Sequence, residues 1–236
     1  MDPDGAARIA DRLARVRDRI AATAQSVGRD PAEVDLLLAV KTQTPEAVIA
    51  AIDAGARLLG HNRAQELVAM GPALAGAPHE MHFIGHLQSN KIHQVLPWVA
   101  CVQSVDTPLL ATRLDRAAGR TGRTLDVFVQ VNTSGEPTKS GVTPEHALDL
   151  AYAVGALPHL RLRGLMTIGA NSPDTDEVRA SFERLAQIRT AVLASGAPGT
   201  VAAAELSMGM SGDLEQAIAA GSTLVRVGSA VFGPRP

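Results

Sequence analysis

The feature that most constrains the fold is a repeating alternation. A short apolar run without internal alternation is followed by a stretch whose apolar residues fall at three- and four-residue steps, and then by another short run. Runs of the first kind occupy 35–40, 57–60, 81–85, 99–105, 126–132, 163–168, 205–208 and 223–228. Strands buried on both faces read this way in parallel sheets, where helices cover each side. The intervening segments 44–54, 62–70, 87–95, 107–119, 143–155, 175–195 and 213–220 read as helices. A further helix precedes them all. Over 4–27, Ile9, Leu13, Val16, Ile20 and Val27 share one face, and Gly28 closes the segment.

Eight strands separated by helices in 236 residues approach the length of about 250 typical of a closed eight-fold barrel. The expected fold class is therefore α/β, a single (β/α)8 TIM barrel over 1–236 with an extra N-terminal helix. An open doubly wound sheet has similar ingredients, and strand number alone does not separate the two. The segment 51–58 echoes 217–224, each a helix end, a glycine and a strand entry. No linker-like tract interrupts the pattern. The apolar fraction of 46% suffices for a core, but only 3% of residues are aromatic, so aliphatic side chains must fill it.

Composition excludes several roles. The formal charge of −2 leaves no basic footprint for nucleic acid or acidic membranes. A single cysteine, Cys101, rules out a disulfide framework and a thiolate metal cage. The acidic start and the lack of a long uncharged apolar run predict a cytoplasmic protein without a secretory signal or a membrane span. Of 22 basic residues only three are lysines, Lys41, Lys91 and Lys139. A desolvated lysine can act as a neutral amine, which arginine cannot, so these positions merit attention.

In a barrel, chemistry sits where strands end at their C-terminal side. Lys41 closes the first strand, Asn62 follows the second, Ser207 and Gly209 lie at the end of the seventh, and Gly228 and Ser229 follow the eighth. Arg226 shares a strand face with Gly228 and should point toward the mouth. Small and hydroxylic residues suit a phosphate-bearing ligand held by backbone N–H groups and hydroxyls, with a lysine available for imine formation. Other patterns mislead. His79, His82, His86 and His93 lack a carboxylate or thiolate to complete a metal set, so no metal is expected. The segment 135–141 lacks the glycine before lysine that a P-loop requires, and Pro137 removes an N–H from it.

Seven co-linear motifs carry a resemblance. They are Ala39-Val-Lys-Thr42; Gly60-His-Asn-Arg63 with Gln65-Glu66; and His82-Phe-Ile-Gly85 with Gln88, Asn90 and Lys91. After these come Gln130-Val-Asn132 with Glu136, Lys139 and Gly141; Gly164-Leu-Met-Thr-Ile168; Leu206-Ser-Met-Gly-Met-Ser211; and Val225-Arg-Val-Gly228. Together they resemble the pyridoxal phosphate homeostasis proteins, whose barrel is similar to the N-terminal domain of alanine racemases. The resemblance implies pyridoxal 5′-phosphate (PLP) as cofactor, bound as an aldimine on Lys41, with Asn62 beside the ring. It further implies that Ser207, Gly228 and Ser229 hold the phosphate and that Arg226 faces the pyridine nitrogen. One departure stands out: His61 occupies a position usually held by glutamate in that family. The implied role is to hold and deliver the cofactor in a monomer, with apo-enzymes that need PLP as transient partners and no turnover of its own. The competing reading is a barrel-type PLP-dependent racemase or decarboxylase. A racemase needs an opposing acid or base, and the single tyrosine, Tyr152, falls in mid-helix.

Overall fold

The computed structural model describes residues 3–233, leaving 1–2 and 234–236 outside the description. Eight parallel strands close into a barrel in sequence order, β1 (Asp35–Ala39), β2 (Leu58–His61), β3 (Glu80–Phe83), β4 (Cys101–Val105), β5 (Leu125–Gln130), β6 (Leu160–Met166), β7 (Glu205–Ser207) and β8 (Leu224–Val227). Closure is explicit, because Leu36 pairs with Val225 and Leu37 with Arg226 across the β1–β8 seam. The open doubly wound sheet is thereby excluded. β4 and β5 are buried along their whole lengths, which explains why their apolar residues do not alternate with exposed ones.

Helices α1 (Pro3–Ser26), α2 (Pro45–Asp53), α3 (Ala64–Leu74), α4 (Ile92–Val95), α5 (Pro108–Arg120), α6 (Ala147–Gly155), α7 (Thr175–Ala194) and α8 (Leu214–Ala219) surround the sheet. A last turn, α9 (Ser229–Phe232), follows β8. α2 and α5 begin by the same device. Thr44 and Thr107 each accept a hydrogen bond from a backbone N–H in the first turn, and Pro45 and Pro108 occupy the first helical position. α1 buries Ile9, Leu13, Val16, Ile20 and Ala24 against α2, α8 and α9. Burial of each large aliphatic side chain there stabilises by roughly 1.5–3 kcal/mol.

Boundaries shift by a few residues at several elements, and three departures stand out. The helix expected over 87–95 is an irregular stretch at 87–88, a 3-10 segment at Ser89–Lys91 and the short α4, followed by a second 3-10 segment at Leu96–Trp98. Pro97 cannot donate into a continuing helix. β6 starts at Leu160, three residues early, because Leu160 to Arg163 alternates buried leucines with outward arginines. α9 escaped notice because four residues carry no periodicity.

The N-terminal end of the barrel is laced with ion pairs. Asp126 accepts from Arg161 at 2.5 and 2.7 Å and from Arg163 at 2.8 Å, and Arg163 also binds Glu205. The opposite end has a different character.

Candidate functional site

At the C-terminal mouth, β1, β8 and the loop after β7 enclose a cavity of about 280 Å³. Lys41 lines it from the end of β1, with Thr42 and Gln43 beyond. Arg226, Gly228 and Ser229 line it from β8 and its exit, and Met210, Ser211 and Gly212 from the β7–α8 loop. Four of the residues singled out from sequence thus meet in one cleft: Lys41, Arg226, Gly228 and Ser229.

The backbone beside Lys41 is strained. Thr42 adopts φ 62°, the only non-glycine residue with positive φ among those described. A β-branched side chain disfavours that region by roughly 1–3 kcal/mol, so its surroundings must enforce it. Part of the enforcement is visible: the Thr42 N–H donates to Glu66 Oε2 at 3.4 Å. The effect is to turn the chain sharply after Lys41 instead of continuing β1.

Across the cleft, Gly228 precedes the single turn α9, where the Val231 and Phe232 N–H groups donate to the Gly228 carbonyl and those of Ser229 and Ala230 have no helical acceptor. A side chain at Gly228 would place its Cβ 3.0 Å from the Ala39 carbonyl oxygen, so the close approach of β8 to β1 depends on glycine. Ser229 and Ser211 bring their hydroxyls within 3.4 Å of one another. Gly209, with φ 93°, reverses the chain after β7 and swings Met210 and Ser211 over the mouth. Arg19 of α1 fixes this loop, donating to the Ser211 carbonyl at 2.9 Å and pairing with Glu215. The N-terminal helix therefore buttresses the cleft.

Arg226 is the electrostatic centre. It is 6% exposed, and burial pulls its pKa down to about 10, opposed by the Asp213 carboxylate. Its hydrogen-bond partners are neutral: one Nη donates to Ser207 Oγ and the other to the Thr167 carbonyl, both at 2.8 Å. No carboxylate contacts it among the described residues. A buried guanidinium without a bonded counter-ion is costly, and an anionic or electron-rich ligand in the adjoining cleft would relieve that cost. The donor set fits a small phosphorylated aldehyde. A cation, two hydroxyls and helix-terminal N–H groups suit the phosphate and ring, and a lysine amine suits the aldehyde.

Ser207 and Asn62 lie elsewhere. Ser207 is fully buried beneath Arg226, and its hydroxyl is engaged by that arginine and by Gln103. It does not line the cleft; Ser211, four residues on, does. β7 ends at Ser207 with its side chain inward, whereas the Gly209 turn carries the second serine to the rim. Positive φ at Gly209 was the missing signal. Asn62 packs its backbone against Gly85, where a Cβ would lie 2.1 Å from the Asn62 oxygen, and its Oδ1 is buried without a protein partner. Asn62 is outside the lining of the Lys41 cleft.

His61 is wholly buried, with Nε2 3.3 Å from Met70 Sδ and Nδ1 4.0 Å from Glu66 Oε2. Burial pulls its pKa down to about 4 against the opposing pull of Glu66, so the ring is neutral at physiological pH. It faces a smaller adjoining cavity, lined also by Thr42, Gln43 and Met70. Cys101 is buried, and burial raises its thiol pKa. Among the described residues no cluster of three or more metal-ligating side chains occurs. No described helix is long and apolar enough to cross a membrane.

Residues 12–236 match the family described as alanine racemase, N-terminal domain. The chain is 43% identical over 227 residues to the pyridoxal phosphate homeostasis protein of Pseudomonas aeruginosa, with 96% of each chain covered. A crystal structure of an unknown protein from Bifidobacterium adolescentis matches with TM-score 0.93 at 46% identity, covering 98% of this chain and 97% of that one. PipY of Synechococcus elongatus PCC7942, solved with PLP bound, matches with TM-score 0.82 at 33% identity, covering 95% and 100%.

Proposed function

The chain belongs to the pyridoxal phosphate homeostasis protein family, and on that premise we propose that it holds PLP in the Lys41 cleft and releases it to apo-enzymes. The relatives' name and the PLP-bound neighbour support the ligand, and the chemistry of the cleft supports its placement. When bound, the group supplies an aldehyde for reversible capture by amines and a ring that absorbs visible light. Lys41 is the amine that attaches it. Ser211, Ser229 and the backbone at Gly228 receive the phosphate, replacing the role expected of Ser207. Arg226 presents its charge to the ring.

One observation carries the choice of carrier over enzyme. Among the described residues lining the cleft, only Lys41 and Arg226 are ionisable, and a guanidinium with a pKa near 10 stays protonated at neutral pH. Proton transfer on both faces of a substrate needs two positioned acid–base groups, each of which typically contributes 10²–10⁴-fold. The cleft supplies one. Tyr152 lies on α6, in the outer layer of helices.

The test combines two assays on the loaded protein. An apo-enzyme that requires PLP should recover activity on mixing, and a panel of L-amino acids should show no sustained racemisation or decarboxylation. Multiple turnovers per minute on any amino acid, without transfer to the apo-enzyme, would replace the carrier with an enzyme. The single-domain, monomeric and cytoplasmic assignments belong to the same proposal.

A further inference from the structure

A line of buried hydrogen bonds runs through the barrel from the cleft to the opposite end. It starts at Arg226, whose Nη donates to Ser207 Oγ at 2.8 Å. Ser207 Oγ donates to Gln103 Oε1 at 2.6 Å. Gln103 Nε2 meets His82 Nδ1 at 2.7 Å, and His82 Nε2 meets Glu80 Oε1 at 2.8 Å. Gln103 and Ser207 are fully buried and His82 is 5% exposed, while Glu80 reaches solvent at the start of β3. Four strands, β8, β7, β4 and β3, contribute one link or more.

The ends of the line determine every proton within it. A guanidinium can only donate and a carboxylate can only accept. Ser207 therefore receives from Arg226 and must direct its own hydroxyl proton at Gln103. The Gln103 amide then has its oxygen toward Ser207 and its NH2 toward His82. His82 must accept at Nδ1 and carry its proton at Nε2, toward Glu80. Reversal of a link between Arg226 and His82 sets two donors or two acceptors against each other at buried atoms. Around His82 and Glu80 lie Asp35 on β1, Asp126 on β5 and Arg163 on β6, which complete the charged surroundings at that end.

We infer that His82, Gln103 and Ser207 are positioning residues that fix the guanidinium of Arg226 at the cleft, so that the bridge through Gln103 sets the direction in which that charge meets the cofactor ring. This rests on the PLP reading of the cleft for its consequence, but not for the positioning itself. Arg226 needs such a support because its bonded partners are neutral, and without them its long side chain has no fixed direction.

The test uses Gln103→Met, near in volume but unable to bridge His82 and Ser207, and Ser207→Ala, which removes only a hydroxyl. Ser181→Ala removes another buried hydroxyl, on α7, that is not a member of the line, and serves as the control. In protein labelled at the arginine nitrogens and free of ligand, NMR should show slow, resolved Nη signals for Arg226, assigned through Arg226→Lys. These should broaden or merge in Gln103→Met and Ser207→Ala and persist in Ser181→Ala. After loading with PLP, both line variants should shift the visible absorption band and bind about tenfold more weakly, and the control should match wild type. Unchanged Arg226 signals in either folded line variant would overturn the inference. A wild-type protein that takes up no PLP would instead refute the cleft reading, while the NMR arm still decides the positioning role.

Discussion

The two ends of this barrel treat charge in opposite ways. At the N-terminal end, Asp126 is shared by Arg161 and Arg163, and Arg163 is shared by Asp126 and Glu205. At the C-terminal mouth, Arg226 is more deeply buried than either of those arginines, yet it is bonded only to a hydroxyl and a carbonyl. The first arrangement satisfies itself. The second leaves a positive field over a cavity that also holds Lys41 and two serine hydroxyls. Paired charges tie strands together; the cation whose bonded partners are all neutral marks where a ligand completes the set.

Removing the shared carboxylate is the hardest blow to that contrast. Asp126→Ala leaves two arginines facing each other without their common acceptor, and its side chain is only 11% exposed. Three charge-assisted hydrogen bonds are lost while the arginines left behind stay partly exposed, so the cost is about 2–3 kcal/mol. For a domain of this size each kcal/mol moves Tm by roughly 2–4 °C, so a calorimetric scan should show a drop on the order of 10 °C. The affinity of the remaining folded protein for PLP should be unchanged.

Ser229→Asp applies the converse test at the mouth. A carboxylate would meet the phosphate at close range in a partly dry site, and PLP affinity should fall about a hundredfold. Pyridoxal, which lacks the phosphate, should lose far less, and Tm should stay near that of wild type. Equal losses for both ligands, measured by fluorescence titration, would move the phosphate elsewhere.

A smaller effect comes from His61, at the mouth beside the Lys41 cleft. Its pKa is about 4 in the fold and about 6.5 when unfolded, so the unfolded chain binds the extra proton first as pH falls. Stability is complete above pH 6.5 and decreases below it, by about 2 kcal/mol between pH 6.5 and 5. His61→Gln should flatten that part of the urea-midpoint profile. An acid limb of equal slope in both proteins would show that the buried imidazole does not set it.

The sequence made the architecture legible because most strand positions are buried and several helices begin or end at a Pro, Thr or Gly signal. Thr44-Pro45, Thr107-Pro108 and Gly28 sit at the boundaries they announced. Lys41, Arg226, Gly228 and Ser229 were legible for the same reason, since strand ends fix their height in the barrel. Ser207 and Ser211 were not separable. Their difference depends on the left-handed Gly209, which raises one serine to the rim and leaves the other as a support beneath Arg226. The line through Gln103 and His82 was equally hidden, because its members come from four strands and have no mutual spacing in sequence.

The central claim is that the mouth is a PLP site whose amine is Lys41, and borohydride reduction tests it directly. The loaded protein is reduced, digested and mapped by mass spectrometry. The account predicts a single pyridoxyl adduct on the peptide containing Lys41, lost in Lys41→Ala. An adduct confined to Lys91 or Lys139 would contradict it.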